Sequence, residues 1–180
     1  MKNSFDKKIL KEINNWLKAN QKIAIATVIQ TWGSSPQPVG SRMIINEDGN
    51  FSGSVSGGCV ESAVVSQCLE IIKKNKPSKK INFKISDENA WEVGLACGGE
   101  ITIFLASILM ELKILQEIIK KRESKSEFAV ITNLDNGKSK IFEVNKPIDK
   151  NFEKYIDEIN YFYKNKKNGI IKNTNIFVET

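Results

Sequence analysis

The sequence contains no histidine. That removes Ser-His-Asp and Cys-His catalytic machinery and every histidine metal site. Cysteine is scarce: three residues at 59, 68 and 97 form no C-x-x-C pair. Neither a closed zinc site within one chain nor a disulfide framework is expected from them. Arginine is scarcer still, since of 27 basic residues only Arg42 and Arg122 are Arg. Between Ile23 and Glu61 the single basic residue, Arg42, is set against Glu47, Asp48 and Glu61. A nucleic-acid reader concentrates Arg and Lys where it follows the backbone. The net charge of +6 therefore reads as a solvated lysine surface, with no nucleic-acid partner. No apolar run approaches the roughly 18–20 residues of a membrane helix. The opening Met1–Lys8 lacks an apolar signal core, so no membrane partner and a cytoplasmic location are expected.

What is present fits one α/β domain. The chain has 180 residues and a hydrophobic fraction of 41%, enough for a sizeable core. Ile9, Ile13, Trp16 and Leu17 share one face of a helix over Lys8–Asn20. Ile23–Ile29 reads as a buried strand. Met43–Ile45 and Phe51–Val55 read as a hairpin closed by Glu47-Asp48-Gly49-Asn50. A helix is expected over Gly57–Lys74, with Val60, Val64, Cys68, Ile71 and Ile72 as its apolar stripe, which makes Cys68 a core residue. Ile81–Ile85 alternates like a half-exposed strand. A short helix over Asp87–Val93, a strand over Ile101–Ala106 and a helix over Ile108–Lys121 follow. Phe128–Thr132 and Ser139–Val144 pair through Asp135-Asn136-Gly137, and a helix over Ile148–Tyr163 precedes a last strand at Ile176–Val178. Strands alternating with helices and hairpins predict an α/β fold with a mixed sheet and flanking helices. The chemistry-bearing region is 1–106, and 107–180 is its α/β continuation within the same domain.

Nine of the eleven glycines fall between Gly33 and Gly99, where backbone must bend sharply or come close to something. Three segments stand out. Gly33–Gly40 offers Ser34, Ser35 and backbone N–H groups; a ligand loop and a wide strand connection are equally good readings of it. Trp32 beside it either walls a planar ligand or lines the core, and Trp91 has the same two readings. In Ser56-Gly57-Gly58-Cys59-Val60-Glu61 a strand gives way to a helix, whose free N–H groups form an anion site. Cys59 in the first turn would have a depressed pKa, and Glu61 at N3 would brace a Gly58 cap. A plain Gly-Gly cap beside a small buried Cys is the other reading. Cys97-Gly98-Gly99, before a strand, mirrors that segment, and the two would face one pocket.

These blocks carry a resemblance. Thr31–Ser41, Gly53–Glu61 and Gly94–Gly99, in that order and spacing, resemble the N-terminal domain of the XdhC/CoxI family of xanthine dehydrogenase and carbon monoxide dehydrogenase accessory proteins. The resemblance implies a cytoplasmic chaperone rather than a catalyst. Such a protein holds the molybdenum cofactor, a molybdopterin, as cargo while a cysteine desulfurase supplies sulfur for its sulfido ligand. It then passes the cofactor to an apo molybdenum hydroxylase, usually acting as a homodimer. On that reading Gly33, Ser34, Ser35, Ser56, Gly57, Gly58, Cys59, Glu61, Cys97, Gly98 and Gly99 contact the cofactor. Cys59 and Cys97 serve as transient ligands of thiophilic molybdenum. A sulfurtransferase carrying persulfide on Cys59 or Cys97 is the alternative. Family members often have Arg where Gln37 stands. Long members add a Rossmann domain, but this sequence lacks a G-x-G-x-x-G fingerprint, so a separate Rossmann companion is expected.

Overall fold

The computed structural model describes residues 2–33, 35, 37–58, 60–76, 78–85, 99–108 and 112–180. The chain divides into two compact units, Met1–Leu109 and Met110–Thr180.

In the first unit, helix α1 (Lys2–Lys18) precedes strands β1 (Ile23–Gly33), β2 (Arg42–Asn46) and β3 (Phe51–Gly53). Helix α2 (Glu61–Lys74) and strands β4 (Ser78–Ile85) and β5 (Gly99–Ser107) follow. The five strands form one sheet in the order β3-β2-β1-β5-β4. Every described pairing is antiparallel. The α/β class stands, and this arrangement corrects the mixed sheet expected from alternating strands and helices. The connection through α2 carries the chain from one edge strand, β3, to the other, β4.

The apolar residues explain the layering. Ala24, Ala26 and Val28 of β1, Met43 and Ile45 of β2, and Ile101, Ile103 and Leu105 of β5 share one cluster with Val60, Val64, Cys68, Ile71 and Ile72. The stripe read from the sequence is thus the face α2 buries. Each large side chain fully buried in this way contributes roughly 1.5–3 kcal/mol. Ile23 and Ile44 alternate with that set and are buried on the other face. Helix α1, with Ile9 and Ile13 buried, contacts β1, β2 and β3. Asn75 ends α2 in the left-handed conformation, its N–H reaching the Ile71 and Ile72 carbonyls.

The second unit has helix α3 (Leu112–Glu123) and strands β6 (Ala129–Asn133) and β7 (Ser139–Phe142). A 3₁₀ turn at Glu153–Tyr155, helix α4 (Ile156–Lys164) and strands β8 (Gly169–Ile170) and β9 (Ile176–Glu179) complete it. Its sheet runs β7-β6-β9-β8, again antiparallel. The Asp135-Asn136-Gly137 turn forms as expected, with Gly137 at φ 72° and its N–H on the Asn133 carbonyl. The helix expected over Ile148–Tyr163 is shorter, because Asp149 takes up the amide and side chain of Asn151 and holds a turn there. Strand β8 is absent from the sequence reading, since two residues carry no periodicity.

Candidate functional site

The antiparallel register sets one glycine of each block, Gly33, Gly53 and Gly99, at strand ends that face the same way along the five-stranded sheet. Strand β1 runs out to Gly33 and β5 starts at Gly99, and these two glycines are cross-strand partners. Strand β2 begins at Arg42 opposite Thr27, and β3 ends at Gly53 opposite Met43. The loop after Gly33 returns alongside β1, where the Gly40 N–H donates to the Val28 carbonyl and the Val28 N–H to the Ser41 carbonyl. The Ser54 N–H then donates to the Arg42 carbonyl, which places the second block beside the start of β2.

The second block differs from its expected form. The helix starts at Glu61, not Gly57. Gly57 and Gly58 have φ of 83° and 127°, values no helix contains, so Cys59 precedes the helix instead of occupying its first turn. Glu61 is therefore the first helical residue rather than N3. Its carboxylate turns back into the loop. Oε1 accepts the backbone N–H groups of Val55 (3.2 Å), Ser56 (3.0 Å) and Gly57 (3.1 Å) and the Ser54 hydroxyl (2.7 Å). Oε2 accepts the Gly58 N–H at 2.9 Å and the Ser56 hydroxyl. The contact from Gly58 to Glu61 is the one a capping box predicts, made without a helix between the two residues.

The block does make an anion cradle of successive N–H groups, but the anion is the protein's own. Phosphate would have to displace Glu61, which is 8% exposed. Burial is the largest influence on this carboxyl and by itself would raise its pKa. The hydroxyls of Ser56 and Ser54 and the amides of Ser56 and Val55 together outweigh burial and hold it at about 2. Ser54 is a site residue that the sequence reading lacks. It donates to Glu61 and accepts the Gly57 N–H at 2.9 Å; a second serine two residues ahead of Ser56 is the available signal. The Val60 N–H donates to the Ser56 hydroxyl at 3.1 Å, so the amides on both sides of Cys59 are pinned.

In the first block, Gly33 has φ 74° and the Ser35 hydroxyl donates to the Gln37 carbonyl at 2.8 Å. Gln37 in turn accepts from the Ser41 hydroxyl at 3.4 Å. Ser35 thus holds the loop's own turn. Trp32 is not in the core: it is 77% exposed. Cys68 is fully buried, as expected, and burial pushes its thiol up to about 12. Ser34, Cys59, Cys97, Gly98, Trp91 and the helix expected over Asp87–Val93 lie outside the described residues, and with them the pairing of Cys59 and Cys97. Among the described residues, no group of three or more Cys, Asp or Glu could hold a metal ion, and no helix is long and apolar enough to cross a membrane.

Residues 16–83, which contain β1 to β3, α2 and the Glu61 cradle, match the model of the XdhC and CoxI family. Over this segment the chain is similar to members of the XdhC and CoxI family. The molybdenum cofactor insertion chaperone PaoD of Escherichia coli (strain K12) is 31% identical over 90 residues, 49% of this chain and 27% of that protein. A Bacillus subtilis (strain 168) protein, named as a probable xanthine dehydrogenase subunit, is 29% identical over 97 residues, 53% of this chain and 29% of that protein. The chain thus spans less than a third of the length of these curated relatives. A xanthine dehydrogenase crystal structure from Bacillus halodurans shares the fold, with a TM-score of 0.64 at 18% identity over 94% of this chain and 51% of that one. The XdhC and CoxI match holds the first two glycine blocks; the third, Gly94–Gly99, follows it.

Proposed function

We propose that this chain takes part in the maturation of a molybdenum hydroxylase, holding the molybdenum cofactor as cargo for sulfuration and insertion rather than catalysing a reaction of its own. The observation that carries the reading is the register that sets Gly33 opposite Gly99 and the Ser54–Glu61 cradle beside the start of β2. Glycines there leave room for a ligand against the backbone.

The roles of the site residues are reassigned on this reading. Ser56, Gly57, Gly58 and Glu61 shape the turn that presents Cys59, instead of gripping a phosphate. Gly33, Ser34 and Ser35, with Gly98 and Gly99, remain cofactor contacts on this reading. Cys59 and Cys97 are soft thiolate donors suited to molybdenum and hold it transiently while sulfur is installed. A cysteine desulfurase and the apo-hydroxylase are the partners, the location is the cytoplasm and the assembly is a homodimer. The name of the Escherichia coli relative, an insertion chaperone, supports this assignment.

The test is to isolate the protein from cells that make molybdopterin, oxidise it and measure pterin fluorescence. Bound pterin is expected, and Cys59→Ser or Cys97→Ser should abolish hydroxylase maturation while leaving the melting temperature nearly unchanged. Absence of pterin, alone and with a companion protein, would sink the reading. A persulfide mapped by mass spectrometry to Cys59 or Cys97, without bound pterin, would replace it by a sulfur carrier.

A further inference from the structure

Beyond the glycine blocks, the same end of the sheet carries a groove of about 340 Å³ lined by Gln30, Thr31, Trp32, Glu100 and Thr102. The register explains its composition. Gln30 pairs with Thr102 and Trp32 with Glu100 across β1 and β5, while Thr31 pairs with Ile101. Ile101 belongs to the core cluster under α2. Side chains alternate along a strand, so Gln30, Trp32, Glu100 and Thr102 all lie on the other face. A β-bulge between Val28 and Gln30 sets this alternation, re-aiming the end of β1. On β4, Lys84 stands opposite Glu100 and Asn82 opposite Thr102, which extends the polar surface over a third strand.

Two groups in the groove are poorly explained by folding alone. Trp32 is 77% exposed, so its indole offers a flat apolar face to the groove. Glu100 is held in place: the Asn82 amide donates to Oε1, and the Lys84 ammonium lies 3.7 Å from Oε2. A carboxylate has about four acceptor positions, so both oxygens keep capacity for further donors. A flat π-face next to an oriented carboxylate suits a planar heterocycle with two adjacent N–H donors, which a carboxylate accepts in bidentate fashion.

We propose that this groove binds the pterin ring of the cargo, stacked on Trp32 with its 2-amino-4-oxo edge toward Glu100. The inference rests on the cargo reading above and assigns the ring to the face of β1 and β5 opposite the α2 core cluster. Gln30 and Thr102 supply further hydrogen bonds to ring nitrogens and oxygens.

Calorimetric titration of the whole chain with neopterin, with the matching pteridine that carries oxygen in place of the 2-amino group, and with guanosine tests it. Neopterin should bind saturably and best of the three. Trp32→Ala should weaken it about fivefold or more, the loss of one stacked ring. Glu100→Gln should erase the preference for the amino over the oxo compound. Both side chains project from the outer face, so circular dichroism melting should stay as in the wild type. Unchanged neopterin binding by Trp32→Ala, equal binding of the oxo compound, or tighter binding of guanosine overturns the assignment. The two readings separate in cells making molybdopterin. If Trp32→Ala and wild type carry equal pterin, the groove assignment falls and the cargo reading stands. If wild type carries none yet binds neopterin with the expected preferences, the groove stands and the cargo reading falls.

Discussion

Ser56 donates twice to Glu61, from its hydroxyl to Oε2 and from its backbone N–H to Oε1 at 3.0 Å. The same hydroxyl accepts the Val60 N–H, so one serine ties the cradle's anion to the entry of α2.

Acid should loosen this cradle. The Glu61 pKa falls from the ordinary 4.5 to about 2 in the folded protein. A carboxyl with a depressed folded pKa contributes stability that is fully present above its unfolded pKa and is lost as pH falls through the folded one. Glu61 should therefore contribute on the order of 3 kcal/mol above about pH 4.5, fading as pH approaches 2. Denaturant titrations of wild type and Glu61→Gln at pH 7 and pH 3 check this: the gap between the two proteins should narrow at the lower pH.

Ser56→Ala should cost about 1–3 kcal/mol at neutral pH, because it leaves the buried Glu61 oxygen short of a donor and the Val60 N–H without its acceptor. A chemical denaturation midpoint that does not move would contradict the geometry.

Gly58→Ala separates space from backbone conformation. A Cβ at Gly58 would meet nothing within 4 Å, yet φ is 127°, a region that L side chains rarely adopt. The expected penalty is about 1–3 kcal/mol of backbone strain, with no cavity or clash to repack. A fully neutral substitution would mean that the turn relaxes freely.

Cys68 should resist alkylation in the native protein. Its thiol is fully buried and pushed up to about 12, and only the thiolate reacts. Iodoacetamide labelling at pH 8 followed by peptide mapping should leave Cys68 unmodified until denaturant is added.

In the second unit, Arg122 Nη2 lies 2.9 Å from Oε1 of Glu179, which is 5% exposed at the last strand. Arg122→Ala leaves that carboxylate buried without its cation and should cost about 3 kcal/mol or more. Faster amide exchange in β9 is the expected signature.

Much of this is legible locally. The stripe from Val60 to Ile72 predicts the buried face of α2, and Asp135-Asn136-Gly137 predicts its hairpin, because both depend on residues within a few positions of one another. The start of α2 falls four residues later than its sequence pattern suggests. The reason is specific: a Gly-Gly pair ahead of an apolar stripe looks like a helix N-terminus, and nothing in a linear reading shows that Gly57 and Gly58 take positive φ and delay the helix. Trp32 has two readings in the sequence, core and ligand wall, since only the bulge at Val28/Gln30 decides which face it takes.

By itself, the sequence determined the helix stripes, the hairpin turns, the burial of Cys68 and the likeness of residues 16–83 to the XdhC and CoxI family, all of them matters of local pattern and spacing. The tertiary structure alone decided that Gly33 meets Gly99 and that Trp32 stands beside Glu100. Those strand pairings join residues separated by more than sixty positions in the sequence, and strand register over such a distance is set by how the whole apolar face packs, not by any neighbouring residue.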